Sequence, residues 1–329
     1  MNHSTFKSFT FGIGLFFTLP LVYGNSSSPS SSDGTLYINK SKTHKVAPVK
    51  YGFHYEEIGM MGEGALHAEL IRNRSFEEAT PPAGLSVKNG LYENVPAPRV
   101  KEKKVFQADP LIGWTTYPLS YTPVFISRTD ENPMSGENKY SMLVNVTEDI
   151  ANHPDALILN RGYYGMNLKT DTSYRLSLFL KNRNYSAPLR VFLVDEWGQR
   201  VSNVIEVNVG NRDWTKYTGE LKPEKNVRRG MFAIQPMSKG QFQIDVVSLF
   251  PSDTWNDGKS VFRKDIVQNL KEFSPSFIRF PGGCIVHGVN EETMYHWKKT
   301  LGPIENRPGQ WSKWAHLVWR ICGRPYLRM

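Results

Sequence analysis

An α/β fold interrupted by an all-β insert is what this sequence predicts, on three observations. Near each end of the chain a short strand pattern stands beside a helical one. Between them lies a long stretch with little helical signal. That stretch is a series of short alternating strands with Gly, Asn and Pro turns, the spacing that builds a β-sandwich.

The first 24 residues, MNHSTFKSFTFGIGLFFTLPLVYG, carry one lysine and then an apolar run that ends in small residues. This reads as a secretory signal peptide cut near Gly24. Its apolar core is too short for a comfortable membrane span. Residues 25–34, NSSSPSSSDG, read as a flexible polar linker. The protein is therefore expected to be exported, to a periplasm or the medium, with no span left after cleavage.

Residues 35–84 read as N-terminal strands followed by a first strand–helix unit. The strand carrying YGFHYEEIG ends at Glu56 and Glu57, and Gly62 to Glu78 places Leu66, Leu70 and Ile71 at helical spacing. Residues 85–247 read as the sandwich. Alternation puts Tyr174, Leu176, Leu178 and Leu180 on one face, and does the same for Leu189, Val191 and Leu193 and for Ile205, Val207 and Val209.

Helical signal returns in residues 248–314. Phe262, Ile266, Leu270 and Phe273 share a face, with Ser260 as N-cap and Pro275 as stop. FIRFPGG follows, a run suited to a buried parallel strand. Helix then strand is the rhythm of an α/β barrel or of a doubly wound sheet. A closed barrel needs eight such units and this chain supplies about two. Residues 315–329 form an arginine-bearing tail with no apolar stripe.

Composition excludes several classes. The net charge of +9 is spread over the chain, and short runs such as KEKK at 101–104 suit a solvated surface better than nucleic acid. Two cysteines, Cys284 and Cys322, make no disulfide framework, and the 8 histidines show no ligand spacing. No metal or cofactor is expected. Aromatics are 12% of residues, which suits both sugar stacking and β-rich cores.

Several segments in order, YGFHYEEIGMMGEGALHAELIRNRSFEE, FPSDTW, FIRFPGGCIVHG and LGPIENRPGQW, resemble the N-terminal part of a glycoside hydrolase family 51 α-L-arabinofuranosidase. The stretch between, notably NRGYYGMNLKTDTSYRLSLFLKN and DWTKYTGEL, is similar to a family 4/9 carbohydrate-binding module. The resemblance covers roughly Thr35 to Trp314. It implies an incomplete (β/α)8 barrel, its first units only, with an inserted jelly-roll β-sandwich. It implies release of terminal α-L-arabinofuranosyl groups from arabinan or arabinoxylan, a part of L-arabinose metabolism, with retention. Retention takes two carboxyl groups about 5 Å apart. In the family both lie on later strands, so no catalytic residue is assigned here. The tail departs from the family and is expected to be a truncated or frame-shifted end, leaving an inactive chain; the alternative is a non-catalytic carbohydrate-binding fragment.

Carried over residue by residue, the resemblance makes Glu56 a carboxylate that accepts from sugar hydroxyls, with Glu57 structural. It makes Arg279 a fork on the floor of the site and Cys284 a neutral thiol lining the sugar pocket. His287 stands where the family often has Glu. Trp297 could wall the cleft or fill a core. In the insert, Trp114, Tyr163, Tyr164 and Trp197 are candidate stacking platforms, with Tyr117 beside them, although core packing is the commoner use of such rings.

Overall fold

The computed structural model describes residues 41, 45, 51–56, 62–78, 86–93, 106–107, 109–288, 291, 294–303 and 306–307. The expected signal peptide, linker and C-terminal tail lie outside these residues. So do Glu57 and the side chain of Cys284. The chain divides into two units, residues 1–47 and 48–329, and the architecture below belongs to the second. Among the described residues no helix is long and apolar enough to cross a membrane.

Strand β1 (Phe53–His54) opens the described fold. A small antiparallel sheet follows, built from β2 (Ser86–Lys88), β3 (Leu91–Glu93) and β4 (Phe106–Gln107). The strands of the large insert then run in order: β5 (Trp114–Tyr117), β6 (Val124–Thr129), β7 (Ser141–Val146), β8 (Leu157–Asn160), β9 (Met166–Leu168) and β10 (Tyr174–Asn182). Next come β11 (Pro188–Val194), β12 (Ile205–Asn208), β13 (Thr215–Leu221), β14 (Val227–Gln235) and β15 (Gly240–Pro251). Helix α1 (Lys264–Glu272), strand β16 (Ile278–Arg279), the short helix α2 (Cys284–His287) and a 3-10 turn (Trp297–Thr300) follow.

Strands β5 to β15 form two antiparallel sheets, ordered β13-β10-β15-β7-β6 and β12-β11-β14-β8-β5, with β9 on β14. Alternation explains the layering, because successive strand residues face opposite sides. Leu176, Leu178 and Leu180 of one sheet share a single buried core with Val191, Leu193, Phe232 and Ile234 of the other. Among the described residues the two sheets run from Trp114 to Pro251, and β2, β3 and β4 form a separate sheet with one another.

The expected helix over 62–78 is absent. Strand β7 covers only Gly240–Ile244 of β15, so the rest of that edge needs a partner. Residues 69–74 supply it. Leu70 N donates to Leu249 O at 3.0 Å, Val247 N to Arg74 O at 2.9 Å, and Leu249 N to the Glu69 carboxylate at 2.7 Å. Ile71 and Phe76 then drop into the sandwich core. Asn73 and Phe76 take positive φ angles of 50° and 56°, which no helix continues through.

Helix α1 does form, but its N-cap is Arg263 rather than Ser260, whose hydroxyl accepts from Phe262 N at 3.2 Å. Of the expected apolar face only Phe262 is buried, and it precedes the helix; Phe273 is exposed. Strand β16 was expected to be buried and is not. Its described partner is β1 alone, so Phe277 and Ile278 remain exposed.

Candidate functional site

The two short strands β1 and β16 pair in parallel, Phe53 opposite Ile278 and His54 opposite Arg279. Phe53 N donates to Phe277 O at 3.0 Å and Tyr55 N to Arg279 O at 2.9 Å. Parallel register brings both C-terminal ends to the same place. Glu56 therefore meets the turn Pro281–Gly283.

The contact is close. Gly283 N donates to Glu56 Oε1 at 3.3 Å, and Glu56 Oε2 lies 3.7 Å from His54 Nε2. A Cβ on Gly282 would lie 2.4 Å from Glu56 Cγ, and its φ of +138° is one that side chains avoid. The glycine pair thus makes room for the carboxylate. A Cβ on Gly283 would lie 3.9 Å from Glu56 Oε1 and 3.8 Å from Arg279 Nη2. Carboxylate and guanidinium therefore flank one point above the turn. An acceptor and a fork of donors in this arrangement can hold neighbouring hydroxyls of one small polyol.

Beneath this group runs an aromatic chain. Tyr55 and Phe280 have ring centroids 5.7 Å apart, and Phe280 meets Tyr295 edge-on at 5.9 Å. Trp297 stands exposed two residues further on, tied to the group through Tyr295. The backbone of Cys284 opens α2, and His287 is exposed, with Nδ1 2.7 Å from Gly288 O. His54 escaped the sequence reading, though alternation already places residues 54 and 56 on one strand face.

The four aromatic candidates of the insert part company. Trp114 is buried between Phe76 and Phe232, and its Nε1 donates to Asn73 O at 3.1 Å. It is a core residue and offers no face to a ligand. Tyr163 is half-buried with Gly64 against its ring. Burial raises its hydroxyl pKa well above the usual phenol value, so it stays a neutral donor. Tyr164 is 83% and Trp197 69% exposed. Trp197 sits on a pinned turn, where Asp195 accepts from Trp197 N, Gln199 N and Lys225 Nζ. Burial pushes Asp195 up, but these donors, led by Lys225, hold its carboxyl below the usual range.

A family model described as the Alpha-L-arabinofuranosidase 1 domain matches residues 269–320, which include β16 and the glycine turn. Alpha-L-arabinofuranosidase 1 of Arabidopsis thaliana is 28% identical over 274 residues, 80% of this chain and 36% of the relative. The chain is similar to α-L-arabinofuranosidases. The extracellular exo-alpha-L-arabinofuranosidase of Streptomyces chartreusis is 26% identical over 81% of this chain and 29% of its own length. A probable alpha-L-arabinofuranosidase A of Aspergillus oryzae is 25% identical over 92% of this chain and 42% of its own. This chain thus spans well under half the length of these arabinofuranosidases. An arabinose-bound GH51 α-L-arabinofuranosidase structure shares the fold, with a TM-score of 0.67 and 24% identity over 85% of this chain and 41% of that one.

Proposed function

We propose that this chain is the sugar-holding part of an exported, retaining α-L-arabinofuranosidase of glycoside hydrolase family 51, acting on side chains of arabinan or arabinoxylan. The observation that carries the reading is the parallel pairing of β1 with β16, which sets Glu56 against the Gly282–Gly283 turn beside Arg279. Similarity to arabinofuranosidases over most of the chain supports it. Glu56 accepts from two ring hydroxyls of a terminal arabinofuranosyl group, and Arg279 donates to a third or steadies a carboxylate. Trp297 and Cys284 are the further positions that the resemblance assigns to sugar contact. The resemblance assigns the acid/base and nucleophile to strands later than β1 and β16, and the Glu56 group by itself binds a sugar without cleaving it.

A second reading is a carbohydrate-binding piece with no chemistry of its own. The exposed rings of Tyr164 and Trp197 favour it. An assay of the 329-residue chain on an aryl α-L-arabinofuranoside, with L-arabinose titration alongside, tests both. No turnover is expected, and Glu56→Gln should weaken arabinose binding about tenfold, the loss of one charged hydrogen bond. Turnover above background would remove the inactive reading. Unchanged arabinose binding in Glu56→Gln would remove Glu56 from the site.

A further inference from the structure

A cleft of about 600 Å³ lies between the sandwich and helix α1, and it shares no residue with the Glu56 group. Its walls include Tyr163 and Tyr164 from the β8–β9 loop, Asp253 beyond β15, and Arg263, Asp265 and Gln268 around the first turns of α1. The volume falls within the roughly 300–1,000 Å³ of small-ligand sites, which favour such junctions.

We propose that this cleft is a second site, for a short neutral saccharide chain. The chemistry of its walls selects that class. Tyr164 offers an open ring face at 83% exposure, and a flat ring buries the C–H face of a sugar. Gln268 gives its amide N–H to Glu272 at 2.9 Å, which keeps the side-chain oxygen as an acceptor. Asn167, Thr172 and Lys169 add hydroxyl-matching groups on the facing wall.

Charge argues against ionic ligands. The acids Glu69, Asp253 and Asp265 and the bases Lys169, Arg263 and Lys264 line the same opening, with no block of one sign. Arg263 is already bidentate to Asp265, through Nε at 3.1 Å and Nη2 at 2.5 Å. The anion seat at the start of α1 is thus filled by the chain's own Asp265, and a phosphate or carboxylate would meet that charge. Sugar hydroxyls, which donate and accept together, suit mixed walls of this kind.

The test is titration of the full chain with α-1,5-linked arabinopentaose and with xylopentaose, read by calorimetry and by hydrogen exchange over 163–174 and 263–268. At least one pentaose should bind and protect both segments. Tyr164→Ala and Gln268→Ala, both changes at exposed positions, should each weaken binding at the cleft about tenfold, while Leu119→Ala, an exposed change away from the cleft, alters it less than about twofold. The proposal is overturned if neither pentaose binds, or if both cleft variants bind as wild type. Loss of pentaose binding in Glu56→Gln alone would overturn it and leave the arabinofuranosidase reading standing. Pentaose binding through the cleft with arabinose binding indifferent to Glu56→Gln would do the reverse.

Discussion

Gly282 is the residue on which the Glu56 geometry turns. Two costs meet there, the +138° φ and a Cβ 2.4 Å from Glu56 Cγ. Gly302 separates them, because its φ is +90° with nothing within 4 Å of a Cβ. Gly302→Ala should therefore cost only backbone strain, about 1 kcal/mol, with arabinose affinity intact. Gly282→Ala should cost more stability and also displace the carboxylate, seen as a loss of arabinose affinity. Equal effects of the two variants on affinity would mean that Glu56 does not hold the sugar. At this scale the sequence was partly legible. The glycine pair marks a tight turn by itself, while Glu56 stood out only through the family resemblance. Trp114 and Trp197 look alike as letters. One is buried because its indole N–H finds Asn73 O, a partner 41 residues away that no local pattern predicts.

The 62–78 segment is the element where local signal and structure disagree most. Its apolar spacing suits a helix, yet the open edge of β15 offers backbone partners that a helix could not use, and tertiary pairing overrides the weak propensity. The same edge makes the segment sensitive to pH. Burial raises Glu78 from 4.5 to about 7, against the pull of Arg72 at 3.6 Å. Burial also raises Glu69, despite Arg74, and Asp245, despite its hydrogen bonds. Folded-state values above the unfolded ones mean that the native chain takes up protons first as pH falls. Stability contributed here is fully present below about 4.5 and is lost as pH rises through 7. For Glu78 the difference is on the order of 3 kcal/mol. The melting temperature should be higher at pH 5.5 than at pH 8, and Glu78→Gln should narrow that gap by raising the pH 8 value. A variant that melts lower by the same amount at both pH values would show that the ion pair with Arg72 outweighs burial.

At the scale of the molecule, stability is concentrated in the sandwich. Its two sheets share one core, whereas α1 buries no residue and β16 is exposed on both of its residues. Limited proteolysis should cut within 255–301 well before it cuts within 114–251, and equal resistance would contradict this distribution of burial. Alternating strands were legible in the sequence because one face of each is buried; the true limits of the folded unit were not, because they depend on a long-range partner. A piece cut at 85–250 keeps the strands but loses Ile71 and Phe76 from the core, each worth about 1.5–3 kcal/mol. It also strips the partners from the β15 edge, leaving Val247 N and Leu249 N without the acceptors that now cover them. Linking residues 62–78 to 109–254 should restore both. Denaturant unfolding of the two pieces should therefore differ by several kcal/mol in favour of the linked one, at unchanged or larger m-value. Equal midpoints would mean that the segment rests on a sandwich already complete without it, and the 62–78 strip would then be a passenger of the β15 edge rather than part of the fold.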